Sequence, residues 1–481
     1  MVLVSFGLFL FLFVGIGVLS MRKRQETTDD YLLASQSVKP WLVALSAFAT
    51  ANSGYMFVGL IGFAYMAGLQ AIWLMVGLVT GDFLMSTFVH KRLRVQTEKQ
   101  HALSFAGILS TWHGTDFKKL RVIGGLITLV FVGVYAAAQL NAGSKAMHVV
   151  FGWDYSVGAI VGSVMVLLYC FAGGIRASIW TDAAQSFVMI AAMALMLFIA
   201  VGEIGGMSVF VNNLHNVSPN YMDWFPANHP LLGSAGPVFF VVGWVFGGIA
   251  IIGQPHVMIR FMTLDKPSEM LKARGYYYGW YVTFYSMAIF TALAARLLIP
   301  ETAGFDTELA LPTLAGQLLP EVLVGLVLAG LFAATMSTAD SQILACTAAI
   351  THDLLPKRFS SYKATKLATV FVTVMALTIA LSGNKSVFAL VLIAWSALGT
   401  AFAPLLIVYA LKQKVPEKLA LAMMLGGPTV MLLWRYFELK GIIYECAPGI
   451  LAGLVIFAVG KIYARLSSAS KVEASSSAVS E

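Results

Sequence analysis

The sequence predicts an all-α protein that crosses a lipid bilayer about thirteen times and contains two inverted repeats of five helices. Three observations carry that prediction. The chain has 481 residues, 59% of them hydrophobic and 11% charged, with a mean hydropathy of +0.82, far from the balance of a soluble domain. Its apolar stretches recur at about 20 residues, long enough to cross a hydrocarbon core of about 30 Å. Two of these stretches have interiors that disfavour a helix, and they lie five spans apart in the chain.

In order, the spans fall near residues 3–21, 40–66, 70–90, 122–150, 155–173, 180–202, 234–261, 274–299, 320–349, 364–382, 386–410, 417–437 and 443–463. No basic residue precedes the first and no small-residue cleavage pattern follows it. "MRKR" follows instead, so the first span reads as a retained helix with the N-terminus outside, which leaves the C-terminus in the cytoplasm. Most of the 31 Lys and Arg then fall in cytoplasmic loops, Arg260 counted among them and Arg176 read as the anchor of a cytoplasmic turn; Lys145, Arg296, Lys385, Arg435 and Lys440 lie on or near the outside. This positive-inside bias accounts for the net charge of +8 and removes the case for nucleic-acid binding. Residues 1–466 form one transporter domain on this reading, with repeats at about 40–202 and 234–410, and the serine-rich stretch 467–481 is a disordered cytoplasmic tail.

Cys170, Cys346 and Cys446 are scattered through apolar segments without a CxxC motif, and the eight histidines show no HExxH spacing. A disulfide framework and a metalloenzyme are therefore not expected. Nor does any nucleophile, base and oxyanion constellation point to an enzyme.

The two unusual spans are the second, with "ALSAFATANSGYMFVG" at 44–59, and the seventh, with "GWVFGGIAIIGQPH" at 243–256. An odd repeat length makes the second copy enter from the opposite face, which is the signature of an inverted repeat whose first helices are unwound near the midplane. Close packing through Gly243 and Gly247, a GxxxG pair, is the simpler alternative for the seventh span.

The ninth span carries "AATMSTADSQ" at 333–342. At about 100° per residue, Ala334, Ser337, Thr338 and Ser341 fall on one stripe with Asp340 at its flank. Hydroxyls and freed carbonyls suit a hard cation such as Na⁺, and residues 49–52 of the second span could supply the carbonyls. Membrane hydroxyls also simply bond the carbonyl one turn back, but a carboxylate at depth costs several kcal/mol unless paired, protonated or wet. Asp182, by itself, reads as an acid at a helix N-terminus, and Asp82 reads in the same way. Tyr135 and Gln139, one turn apart, face either a solute cavity or a neighbouring helix.

The motifs "DDYLLASQSVKP", "ALSA", "SGY", "GGIRASIWTDAAQ", "GQPHVMIRFM" and "MSTADSQILACTAAITHDL" together resemble the sodium/solute symporter family, nearest its bacterial sodium/proline branch, over nearly the whole chain. The resemblance implies a LeuT-like core with one helix before it and two after. It implies a sodium site at the carbonyls of Ala49, Asn52 and Ala334 with the hydroxyls of Ser337 and Thr338. A second sodium site, present in some members, would use Asp182 with Ser337, Asp340 and Ser341. The solute would lie against Ser53, Gly54, Tyr55, Tyr135 and Gln139, and against Gly247 and Ile251. This chain departs from the proline branch at that pocket. Ala51 stands for an aspartate, Tyr55 for a tryptophan, and Gly247 and Ile251 for a tryptophan and a tyrosine, so the pocket is expected to have lost aromatic surface, with Trp244 displaced by most of a turn.

The expected function is sodium-coupled import of a small organic solute, an amino acid or small carboxylate, across the cell membrane, with Na⁺ as coupling ion and no protein or nucleic-acid partner. Proton coupling through Asp340 or Asp182, and a solute sensor that does not transport, are the alternatives.

Overall fold

The computed structural model describes residues 1–20, 22, 25–231, 233–299, 305–382 and 386–477. Lys385, Glu301 and most of the "MRKR" cluster lie outside them. Among the described residues, eleven helices are long and apolar enough to cross a membrane. Two of these contain turns that divide them. Gly174, at φ 56° and ψ −145°, interrupts Tyr155–Ile204, and a Cβ there would stand 2.4 Å from the Tyr31 carbonyl oxygen, so only glycine fits. Gly68, at φ 72°, ends Gly59–Ala67 before Ile72–Ser86 begins. Divided at these points, and with the second pass starting at Pro40, the described residues make about thirteen passes.

Both predicted interruptions exist. The second pass is helical over Pro40–Ala51, leaves helical geometry at Asn52 and Ser53, and resumes at Gly54–Phe57. In the seventh pass, Ala235–Ile249 tightens into the 3₁₀ turn Ala250–Gly253, becomes extended at Gln254 and resumes at Pro255–Met262. Pro255 suits the first turn of the new helix because its missing N–H would be unpaired there in any case. Gln254 bridges the gap with its Nε2, 2.9 Å from the Trp395 carbonyl oxygen.

The ninth pass, Glu321–Ala348 with a π-helical end at Ala349–Leu354, is the axis of the bundle. Some 83% of its most apolar window is buried, against 17% for the first pass, Val2–Ser20. The first pass leaves Leu8 and Phe11 exposed, as a lipid-facing surface requires, and turns Phe6 and Phe13 inward. The start of the second pass and the end of the seventh are joined at one end of the bundle. There Val38 N donates to the Thr263 carbonyl (3.2 Å) and Asp265 N to the Val38 carbonyl (2.9 Å). The last pass runs Cys446–Ser477, so helix extends into the stretch that its composition marks as a tail without structure.

Candidate functional site

The break in the second pass frees backbone groups, and the fold uses them. Gly54 N, which in an unbroken helix would bond the Thr50 carbonyl, donates instead to Gln139 Oε1 at 2.9 Å. Gly54 sits so close to its neighbours that a Cβ would approach the Thr335 methyl to 2.5 Å and Ala142 Cβ to 2.9 Å. The helix end is thereby pressed against the ninth and fourth passes.

Directly opposite, Ser337 Oγ lies 3.0 Å from the Ala49 carbonyl oxygen and 3.1 Å from that of Ala334. Thr338 Oγ1 lies 3.0 Å from the Thr50 carbonyl oxygen, 3.1 Å from that of Ala334 and 3.4 Å from that of Ala49. Both side chains are fully buried. Each hydroxyl has a single hydrogen, so two hydrogens serve three carbonyls and both hydroxyl oxygens. The uncharged oxygens therefore offer more lone pairs than the hydroxyls have hydrogens. The bond back to Ala334, one turn away, is the ordinary behaviour of a membrane hydroxyl; the reach across to the second pass is the additional feature. Of the sequence-predicted ligands, Ala49, Ala334, Ser337 and Thr338 come together. The Asn52 side chain is turned to its own helix, its Nδ2 donating to the Phe48 carbonyl at 2.9 Å, and the Thr50 carbonyl also accepts from Thr338.

One turn further along the ninth pass, Asp340 and Ser341 meet Asp182 of the sixth, but not alone. Arg260, on the helix that follows the break in the seventh pass, lies between the carboxylates, its Nη2 3.2 Å from Asp340 Oδ1 and 3.3 Å from Asp182 Oδ2. The same atom donates to the hydroxyls of Ser178 and Ser341. Arg260, Asp182 and Asp340 have no exposed surface. Arg260 therefore belongs to no loop, which corrects its place in the loop count, and the carboxylate of Asp340 is paired, by a residue of the seventh pass. Asp182 is an internal ion-pair residue, tied also to Ser46 Oγ at 2.6 Å, and not an exposed helix-end charge. Arg176 does anchor a turn, through the Asp30 carboxylate and the Ala34 carbonyl.

Beside the neutral cluster is a small cavity of about 30 Å³ that Tyr55 and Tyr135 line together with Ala51. Tyr135 OH lies 3.4 Å from Ser53 Oγ. Ser53, Gly54, Gln139, Gly247 and Ile251 are not among the residues that line it, and its wall carries aromatic rings from other parts of the chain. Trp244, Tyr281, Tyr285, Trp395 and Tyr444 complete its wall. A Cβ on Gly247 would meet the Tyr444 ring at 3.1 Å, so a ring from the connection just before the thirteenth pass fills the space where a larger side chain at 247 would stand. Trp395 Nε1 closes the gap by donating to the Gly247 carbonyl at 2.9 Å. An open vestibule of about 360 Å³ continues from the cavity past Trp244 and Tyr444, with Arg435 and Lys440 on its wall.

A pair of discontinuous helices, with a cluster of uncharged oxygens at one break and a small recess beside it, is the arrangement of a LeuT-like secondary transporter. The model of the sodium:solute symporter family matches residues 31–427, and the chain belongs to that family; it is a sodium-coupled symporter. The sodium/proline symporter of Escherichia coli (strain K12) is 31% identical, the alignment covering 95% of this chain and 92% of that protein. A high-affinity proline transporter of Bacillus subtilis (strain 168) is 29% identical over 90% of this chain and 92% of its own length. Among solved structures, an outward-open, substrate-bound Na⁺-coupled sialic acid symporter superposes with a TM-score of 0.80 at 19% identity, covering 95% of this chain and 96% of the other.

Proposed function

We propose that the protein imports a proline-like amino acid or small carboxylate together with sodium. The ion would bind at the carbonyls of Ala49, Thr50 and Ala334 and the hydroxyls of Ser337 and Thr338. The surplus of lone pairs in that cluster carries the reading. The relatives whose names specify proline support the solute class. The absence of any acidic or basic side chain from the cavity wall favours a solute with an apolar body. Sodium bridging the second and ninth passes would hold the cavity wall at Tyr55 in place, so ion and solute would strengthen each other's binding by the same free energy. Inward movement of each charge gains about 2.3 kcal/mol per 100 mV of membrane potential. The N-terminus is assigned to the outside and the C-terminus to the cytoplasm from the basic loops.

The test is uptake of radiolabelled L-proline into proteoliposomes under an inward sodium gradient, with amino acids and carboxylates as competitors. Sodium-stimulated uptake of proline or of a competing solute, lost in the Ser337→Ala, Thr338→Ala double variant, is the expected result. Stimulation that survives the double substitution refutes the assigned site.

A further inference from the structure

The oxygens that a second sodium would use are already gathered around one atom of the protein. Asp182 Oδ2, Asp340 Oδ1 and the hydroxyls of Ser178 and Ser341 all converge on Arg260 Nη2. Around that centre the carboxylates are further satisfied by Ser46 on Asp182 (2.6 Å), and by Ser178 (2.8 Å) and Ser341 (2.9 Å) on Asp340. Arg260 Nε lies 3.3 Å from Thr50 Oγ1, whose residue also lends its carbonyl to the neutral cluster. A single guanidinium thus touches the second, sixth and ninth passes while being carried by the seventh.

We propose that Arg260 is a tethered cation that occupies the second ion position, so that the protein binds one sodium and not two. This rests on the sodium-coupled reading above. A sodium ion that took the four converging oxygens would have to sit at Nη2 itself, and two positive centres cannot share one coordination shell. The oxygens left over are Asp182 Oδ1 and Asp340 Oδ2, both buried without a hydrogen-bond partner. Two oxygens beside a guanidinium are too few to replace the shell of about six that a hard cation requires. The guanidinium is permanently charged and covalently held, so it balances buried carboxylate charge without being transported. The neutral cluster next to it is then the single exchangeable site.

The test is equilibrium binding of radioactive sodium to the purified full-length chain, in the absence of solute. One sodium per chain is expected in the wild type, with that ion lost in Ser337→Ala, Thr338→Ala and retained in Asp182→Asn. Arg260→Ala, which vacates the charged position, should bind a second sodium; should that variant not fold, the wild-type count and the Asp182→Asn result decide the matter. Two sodium ions per wild-type chain, one of them removed by Asp182→Asn, would overturn the proposal while leaving the neutral site intact. No sodium bound at all would remove the reading on which it rests.

Discussion

Two clusters one helical turn apart on the ninth pass meet the same problem, polar atoms far from water, in opposite ways. The cluster at Ser337 and Thr338 is made of uncharged oxygens and has more lone pairs than hydrogens. The cluster at Asp340 has formal charges and a cation of its own. A neutral site attracts an ion weakly enough to release it, because no net charge holds the ion there. Buried carboxylates would hold a free cation far more strongly, and here an arginine takes that position. On the proposed reading, exchangeable and permanent cations are separated by the chemistry of their ligands.

The comparison breaks most visibly at Arg260. Replacing it with alanine leaves two buried carboxylates without their partner, and loss of one member of a buried ion pair costs about 3–5 kcal/mol; thermal unfolding should detect this, and adding Asp182→Asn should recover part of it. The Ser337→Ala, Thr338→Ala variant should lose less stability but weaken sodium binding by roughly a hundredfold or more, at about 1–3 kcal/mol for each buried polar partner removed. Gly54→Ala drives a methyl against Thr335 and Ala142. Overpacking of this kind costs about 1–3 kcal/mol, and the variant should lower sodium affinity by shifting the second pass away from the ninth. Lys39→Ala sharpens the contrast between buried and exposed ion pairs. Its partner Asp265 is 2.9 Å away, but the lysine is 67% exposed, so the loss should stay within about 1 kcal/mol and sodium affinity should not change.

Much of this architecture was legible because it depends on local chemistry. "TANSG" and "GQP" interrupt apolar runs with residues that make poor helix interiors, and both interruptions are real. The hydroxyl stripe followed from helical spacing alone. Arg260 was hidden by its position at the end of an apolar run, just before Lys266, Lys272 and Arg274, where counting loop charges absorbed it. Its partner Asp340 is 80 residues away, and no periodicity relates the two. The contact of Thr338 with the Thr50 carbonyl was not singled out, because the register of an unwound segment cannot be read from its residues. The cavity wall was the least accessible, since Trp395 comes from the eleventh pass and Tyr444 from the connection before the thirteenth, beyond the reach of local patterns. Only Tyr281 and Tyr285, four residues apart on the eighth pass, left a helical signal that could have been followed.

The claim on which all of this depends is that the neutral oxygens bind sodium. It is tested most directly by thermal unfolding of the purified protein in sodium against potassium. At a sodium concentration about 100 times the wild-type dissociation constant, the wild type should gain about 2.7 kcal/mol, and the Ser337→Ala, Thr338→Ala variant no more than about 0.4 kcal/mol. An equal gain in both proteins would contradict the assignment.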